Sequence, residues 1–407
     1  MAPPRRLPRP AELRPLVRVS WPAGSRRARR LARAVTIEDL RTLATRRAPR
    51  AAFDYTDGGA ESEVSMRRAR AAFEQVVFHP RVLRDVSRVD PSTTVLGRPV
   101  PFPLVLAPTG FTRLMHTDGE IAVARAAQRA GVPYALSTVG TTAPEELAAA
   151  VPGVRRWFQL YVWKDRARSR ELLARVRASG FDALVLTVDV PVAGARWRDV
   201  RNGMTLPPAL TMRTVLDAAR RPAWWFDFFT TAPPSFATLG GPGGSPAELI
   251  NSTFDPSVTL DDIAWLRDEW DGPVLVKGIQ TVADAQAVVD LGVDGIVVSN
   301  HGGRQLDRTV APIELLAPVV DAVGTRCEVL VDGGVRSGAD VAAAVALGAR
   351  AVLVGRPYLY GLMAAGEDGV ARAVEILQTG FVRTMQLLGV TEVAALDRSL
   401  VELRKVT

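Results

Sequence analysis

The stretch Val298–Asp307, VSNHGGRQLD, sets a histidine and an arginine three residues apart, His301 and Arg304, beside two glycines. A neutral imidazole can take a proton near pH 7, and a guanidinium can grip a carboxylate through two parallel hydrogen bonds. Together they suit a site that deprotonates a small acid. A loop histidine next to a solvated arginine is the plainer reading of such a pair, so the remainder of the chain has to decide. Histidine occurs only at His79, His116 and His301, which leaves few candidates for a base. His79 and His116 read as structural.

The loop follows Gly295–Val298, a β-branched apolar run that reads as a buried strand. In a parallel α/β barrel, chemistry collects just beyond the C-terminal ends of the strands. With that strand taken as Ile296–Ser299, the short apolar runs are Leu104–Ala107, Tyr134–Ser137, Trp157–Tyr161, Ala183–Val188, Val274–Val276, Ile296–Ser299, Val329–Val331 and Ala351–Val354. Alanine-rich helical stretches such as Glu120–Ala130, Ser169–Ser179, Val282–Leu291 and Ala339–Leu347 alternate with them. Eight strands alternating with helices over about 250 residues predict an α/β fold of the (β/α)8 TIM-barrel type. A doubly wound sheet is the rival, but neither a strand followed by GxGxxG nor a GxxxxGK[ST] loop is found.

Composition narrows the class. With 47% apolar and 23% charged residues, the chain resembles an ordinary globular enzyme. No run of 18 apolar residues suggests a spanning helix. A single cysteine, Cys327, excludes an intramolecular disulfide and a cysteine metal cluster, and no metal site is expected. The net charge of +8 is a property of one end: residues 1–34 hold ten arginines and one acid, and the remaining 373 residues carry 41 basic and 42 acidic side chains. A nucleic-acid groove needs a basic excess that the barrel lacks.

Residues 1–34 are rich in Arg and Pro without hydrophobic periodicity, so an extended or partly ordered arm is expected there. Order is expected from Thr36, which with Asp39 approaches a capping box, and residues 35–407 then form the barrel. An apolar signal core and a cleavage pattern are missing, which points to the cytoplasm or the inner face of the cell membrane. About 85 residues separate Asp189 from Val274, too many for one helix and its loops, so an insertion of about 205–255 is expected after the fourth strand. Within it, residues 220–229 read RRPAWWFDFF. This is either a surface loop folded onto the barrel or a peripheral membrane contact, since amphipathic rings settle at headgroups and arginines meet anionic lipid.

The strand ends carry polar residues in a way that packing alone does not explain. They are Pro108-Thr109-Gly110, Ser137-Thr138, Gln159 to Tyr161, Thr187 to Asp189, Lys277-Gly278, Ser299 to His301, Asp332 to Arg336 and Gly355-Arg356. Glycine-rich turns at the last two, with Arg336 and Arg356, offer N–H groups and cationic forks to a phosphate. Lys277 stands out in a chain with 48 arginines and three lysines, as either a point charge in the barrel mouth or an ion pair across strands.

SNHGGRQLD at Ser299–Asp307, LVKG at Leu275–Gly278, DGGVRSG at Asp332–Gly338 and GRP at Gly355–Pro357, in that combination, closely resemble the FMN-dependent α-hydroxy acid oxidases and dehydrogenases. The resemblance runs from about Thr36 to the C-terminal region and is nearest to bacterial L-lactate dehydrogenases of the actinobacterial type. It implies FMN as cofactor, His301 as base and Asp189 as its carboxylate partner. Arg196 and Arg304 would hold the substrate carboxylate, with Tyr55 and Tyr161 on substrate oxygens. Lys277 would serve catalysis from the flavin edge, where its charge favours the reduced ring. Pro108, Thr109, Gly110, Ser137, Gln159, Thr187 and Ser299 would lie on the cofactor, and Asp332, Gly334, Arg336, Gly355 and Arg356 about its phosphate. The family also implies a homo-oligomer, commonly a tetramer.

Two positions depart from the glycolate oxidases of that family: Val139 replaces a tryptophan and Gly110 an alanine. The first leaves room for more than glycolate. The expected activity is oxidation of an L-2-hydroxy acid, L-lactate by resemblance, with electrons passing to a quinone or another acceptor. An FMN-dependent oxidase of a bulkier 2-hydroxy or 2-amino acid or a peptide-derived substrate, using oxygen, is the alternative, and a non-redox FMN- or phosphate-binding barrel is the remote one.

Overall fold

A computed structural model describes residues 25–203, 219–232, 234–238 and 255–404, together with Arg9, Glu12 and Asp217. Eight parallel strands close into a barrel: β1 (Leu104–Leu106), β2 (Tyr134–Ser137), β3 (Arg156–Leu160), β4 (Ala183–Thr187), β5 (Val274–Ile279), β6 (Gly295–Val298), β7 (Glu328–Val331) and β8 (Ala351–Val354). β8 pairs back onto β1, with Val352 opposite Leu104. The predicted (β/α)8 fold is therefore the observed one. Each strand is covered on both faces, which is why these segments read as continuous apolar runs.

Alternation along the strands separates two cores. Val105, Ala135, Trp157, Val185, Leu275, Val297, Leu330 and Leu353, one from each strand, belong to an inner cluster. Their neighbours, such as Leu104, Leu136, Phe158 and Leu186, join an outer cluster with the helices. A hairpin, Thr93–Val95 with Arg98–Val100, adds Val95 and Val100 to the inner cluster, and Leu96 N–H donates to Glu328 Oε2 at 2.8 Å. The hairpin thus fills the N-terminal end, and the barrel opens at its C-terminal mouth.

Before the barrel come α1 (Arg26–Ala32), α2 (Ile37–Arg47), α3 (Arg50–Asp57) and α4 (Val64–Glu74). The capping box at α2 is present as predicted: Thr36 Oγ1 accepts from Asp39 N–H, and Asp39 accepts from Thr36 N–H. Within residues 1–34, expected to be an extended or partly ordered arm, Arg26–Ala32 is helical. Ser25 caps α1 by accepting from Ala28 N–H, alanines and arginines favour the helix, and Leu31 packs on the outer core. Residues 1–8, 10, 11 and 13–24 lie outside the described residues.

Between β4 and β5 are α5 (Trp197–Arg201) and α6 (Pro222–Thr230), and after β8 comes α7 (Arg356–Leu388), which leaves helical geometry at Ala365 and Gly366. Much of the predicted insertion lies outside the described residues. The aromatic stretch is a helix rather than a loop, with Pro222 preset for the first helical position. β5 also runs three residues beyond the predicted Val274–Val276, through an irregular register between Lys277 and Ile279. Gly278, at φ 110°, sits there because a Cβ would fall 2.7 Å from Asp189.

Candidate active site

The loop after β6 bends sharply to present His301. His301 has φ 57°, a left-handed conformation that costs a non-glycine residue about 1 kcal/mol or more, and Gly302 and Gly303 continue it. Two contacts hold the bend: His301 N–H donates to Ser299 Oγ at 3.0 Å, and any Cβ on Gly303 would lie 2.7 Å from the backbone nitrogen of Met66. The ring's Nδ1 lies 2.9 Å from Asp189 Oδ1. Burial opposes charge on Asp189, but His301 and then Lys277 outweigh it and keep the carboxyl below its ordinary value.

Lys277 Nζ donates to Ser299 Oγ at 3.1 Å and lies 3.3 Å from Asp332 Oδ2. Both sequence readings of Lys277 hold at once, since it pairs across strands and lines the cavity at the mouth. Burial disfavours its charge, yet Asp332 and Asp189 raise it above the ordinary lysine value.

On the other side, α3 presents Tyr55. Arg304 Nη1 donates to the Tyr55 carbonyl at 2.6 Å and the Gly58 carbonyl at 3.0 Å. The Arg304 and Arg196 guanidinium carbons lie 5.1 and 5.3 Å from the Tyr55 ring centroid. Burial, then the nearby Arg196, brings the Arg304 guanidinium down to about 10. Two cations held this close in a desolvated place favour an anion between them. Burial, with Asp189 adding to it, pushes the Tyr161 hydroxyl up, so it stays protonated.

Of the residues singled out in the sequence, Tyr55, Pro108, Thr109, Gly110, Ser137, Gln159, Tyr161, Thr187, Arg196, Lys277, His301, Arg304, Asp332, Gly334, Arg336, Gly355 and Arg356 line one cavity. Asp189 and Ser299 do not. Asp189 stands behind His301, and Ser299 is fully buried behind Lys277 and His301, accepting from both, so it acts on the cavity through them. Arg356 differs from the phosphate fork expected of it: its Nε, Nη1 and Nη2 donate to the carbonyls of Thr56, Gly302 and Gly58. Those bonds tie the end of β8 to the C-terminal end of α3 and to the loop after β6. Thr56 and Met115 also line the cavity without having been singled out. Gln305 was missed too, although it neighbours Arg304; its Nε2 donates to the Val192 carbonyl at 2.9 Å and fixes the segment after β4.

The sequence matches the FMN-dependent dehydrogenase family over residues 44–403. The chain belongs to that family. Among its relatives is a provisionally named L-lactate dehydrogenase of Mycobacterium tuberculosis, 59% identical over 100% of this chain and 98% of the relative. An L-lactate dehydrogenase of Caulobacter vibrioides is 45% identical over 89% of this chain and 96% of its own length. The structure of a monotopic membrane protein, (S)-mandelate dehydrogenase, superposes with a TM-score of 0.88 at 37% identity, covering 91% of this chain and 100% of that one. A mandelate oxidase superposes at 0.79 with 42% identity, covering 91% and 99%.

As an FMN-dependent dehydrogenase, the protein uses FMN, and its cavity fits that group. Thr56 Oγ1, Gln159 Nε2, Thr187 Oγ1 and Asp332 Oδ1 are buried in the cavity wall with no hydrogen-bond partner among the described residues. Buried polar atoms are seldom left unpaired, and a polar heterocycle with a ribityl chain would satisfy them. Leu353, Val354 and Leu359 offer apolar wall to a flat ring, and Lys277 offers a fixed positive charge.

The aromatic helix α6 has one buried face and one exposed face. Trp224 is buried, donates from Nε1 to the Leu114 carbonyl at 3.2 Å and stacks on Phe228 at 4.9 Å. Phe226 and Phe229 are 70% and 69% exposed. No described helix is long and apolar enough to cross a membrane.

Proposed function

We propose that this FMN-dependent dehydrogenase oxidises L-lactate to pyruvate and delivers the electrons to a quinone at a membrane surface. The observation that carries the chemistry is one cavity in which an imidazole backed by a buried carboxylate faces two guanidiniums. Bound FMN supplies a two-electron acceptor. Arg196 and Arg304 take the substrate carboxylate, and Tyr55 and Tyr161 donate to its oxygens. With Nδ1 held by Asp189, His301 offers Nε2 to take one proton from the substrate, and Asp189 stabilises the imidazolium that results. Lys277 favours negative charge at the cofactor. Arg336, together with the N–H groups around Gly334 and Gly355, holds the phosphate.

Lactate is supported by the relatives named L-lactate dehydrogenase. Val139 lines the cavity, and the neighbours named for mandelate favour a second reading in which a bulkier 2-hydroxy acid is the preferred substrate. Exposed Phe226 and Phe229 support the membrane contact and, through it, quinone rather than oxygen as acceptor. A location at the inner face of the cell membrane and a homo-tetramer complete the proposal; light scattering tests the latter. The deciding experiment is anaerobic mixing of the holoenzyme with L-lactate, D-lactate and (S)-mandelate, followed by oxygen or a soluble quinone. Rapid bleaching of the flavin by L-lactate and reoxidation by the quinone are expected. An unbleached flavin with L-lactate overturns the substrate assignment, and faster reoxidation by oxygen overturns the acceptor.

A further inference from the structure

Val139 lines the cavity from the loop after β2, and the segment that follows α6 holds that loop on both sides of it. The Thr238 hydroxyl donates to the Thr138 carbonyl, and Ala237 N–H donates to the Gly140 carbonyl at 3.1 Å. The groups of Val139 itself are held from the barrel mouth: its N–H donates to Ser137 Oγ at 3.2 Å, and its carbonyl accepts from Phe111 N–H at 2.9 Å. Thr238 is 3% exposed, so little solvent competes for its hydroxyl.

The holding segment is itself fastened to the loop after β1. Trp224 Nε1 donates to the Leu114 carbonyl, Arg113 Nη2 donates to the Ala232 carbonyl at 2.8 Å, and the Phe236 ring packs on Phe111 with centroids 5.1 Å apart. Toward Gly110 the Val139 isopropyl group has no slack, since a Cβ there would fall 2.5 Å from Val139 Cγ2. The room beside Val139 therefore depends on where the loop backbone is held.

We propose that Thr238 is a positioning residue for substrate specificity: by holding the Thr138 carbonyl it fixes Val139, and Val139 so fixed sets the room for the side chain of the acid. A methyl group fits against a fixed wall, whereas a phenyl group needs the wall to yield. Removing the hydroxyl leaves a buried carbonyl without that donor, and the loop shifts to find another. The inference rests on the reading of this cavity as a 2-hydroxy acid site.

L-Lactate and (S)-mandelate, compared on the FMN-loaded protein, test it. In Thr238→Val the ratio of the KM for (S)-mandelate to the KM for L-lactate should fall about tenfold, with kcat for lactate changed less than about threefold. The same ratio is read without turnover from the binding of phenylglyoxylate and pyruvate, followed by flavin absorbance. Thr238→Ser keeps the donor and should keep the wild-type ratio within about twofold. In a Val139→Gly chain, where the wall is already gone, Thr238→Val should move the ratio by less than about twofold. Values that shift by the same factor for both acids in Thr238→Val, or a full shift of the ratio in the Val139→Gly chain, overturn the proposal and leave the 2-hydroxy acid reading standing. Should Thr238→Val not retain FMN, Thr238→Ala gives the same comparison. A wild-type flavin that neither acid reduces overturns the reading of the site, and the role of Thr238 with it.

Discussion

Arg198 Nη1 donates to Asp57 Oδ2 across 2.8 Å and so joins the segment after β4 to the helix that carries Tyr55. Asp57 is buried, and although burial opposes its charge, Arg41, Tyr360 and Arg198 together hold its carboxyl well below the usual range. Tyr55 and Arg196 come from distant parts of the chain, and this bond is one of those that keep them together. Arg198→Gln should therefore act through position. Steady-state kinetics should show KM for the hydroxy acid raised about tenfold and kcat changed less than threefold, with about 2 kcal/mol lost from stability. A fall in kcat at unchanged KM would place Arg198 in the chemistry instead.

Asp189 and His301 should behave as one unit. Asp189→Asn leaves the ring without its carboxylate, and flavin reduction by substrate should slow by about 10²–10⁴-fold. His301→Gln should slow it by a similar factor, and the double variant should be little slower than either. Single-turnover reduction under anaerobic conditions measures all three. Independent, multiplicative losses would contradict the pairing.

Gly110 and Val139 are sterically coupled. A Cβ at Gly110 would lie 2.5 Å from Val139 Cγ2, so Gly110→Ala should cost about 1–3 kcal/mol by overpacking. Val139→Ala in the same chain should restore at least half of that in a thermal unfolding series. Absence of any rescue would mean that the strain lies elsewhere.

His116 is buried, and burial, followed by Arg47 and Arg27, lowers its pKa to about 3. An unfolded histidine titrates near 6.5, so between these values the unfolded chain binds the extra proton. The neutral ring's contribution is fully present above about pH 6.5 and is lost as pH falls toward 3, at up to about 1.4 kcal/mol per pH unit. His116→Gln should flatten the fall in Tm between pH 6 and 4. A parallel decline in both proteins would rule His116 out as the cause.

The proposed membrane contact should belong to the exposed rings of α6. Phe226→Ser with Phe229→Ser should release the protein from anionic vesicles in a flotation assay while leaving turnover with a soluble artificial acceptor intact. Trp224→Ser should instead lower stability by about 3 kcal/mol, because that ring is buried and hydrogen-bonded. Retained flotation of the double phenylalanine variant would count against the contact.

The barrel and most of the site residues were legible in the chain because they depend on local order. Strands covered on both faces must be runs such as Val274–Val276, and a residue at a strand's end must lie at the mouth whatever the rest of the fold does. His301, Arg304, Lys277 and the glycines after β7 and β8 were found that way. The capping of α1 by Ser25 was also readable, but the surrounding arginines and prolines obscured it.

What tertiary structure alone decided is how residues far apart in sequence meet. Nothing in the neighbourhood of Ser299 says that its hydroxyl will be spent on Lys277 and His301, and nothing near Arg356 says that its donors will go to carbonyls of Thr56 and Gly58. The aromatic run at 220–229 likewise has a composition that fits either burial or exposure, and packing against Leu114 buried Trp224 while leaving Phe226 and Phe229 outside. Residue type and spacing limit the bonds a side chain can make; the packed fold decides which of them are made, because each donor and each face can be spent once.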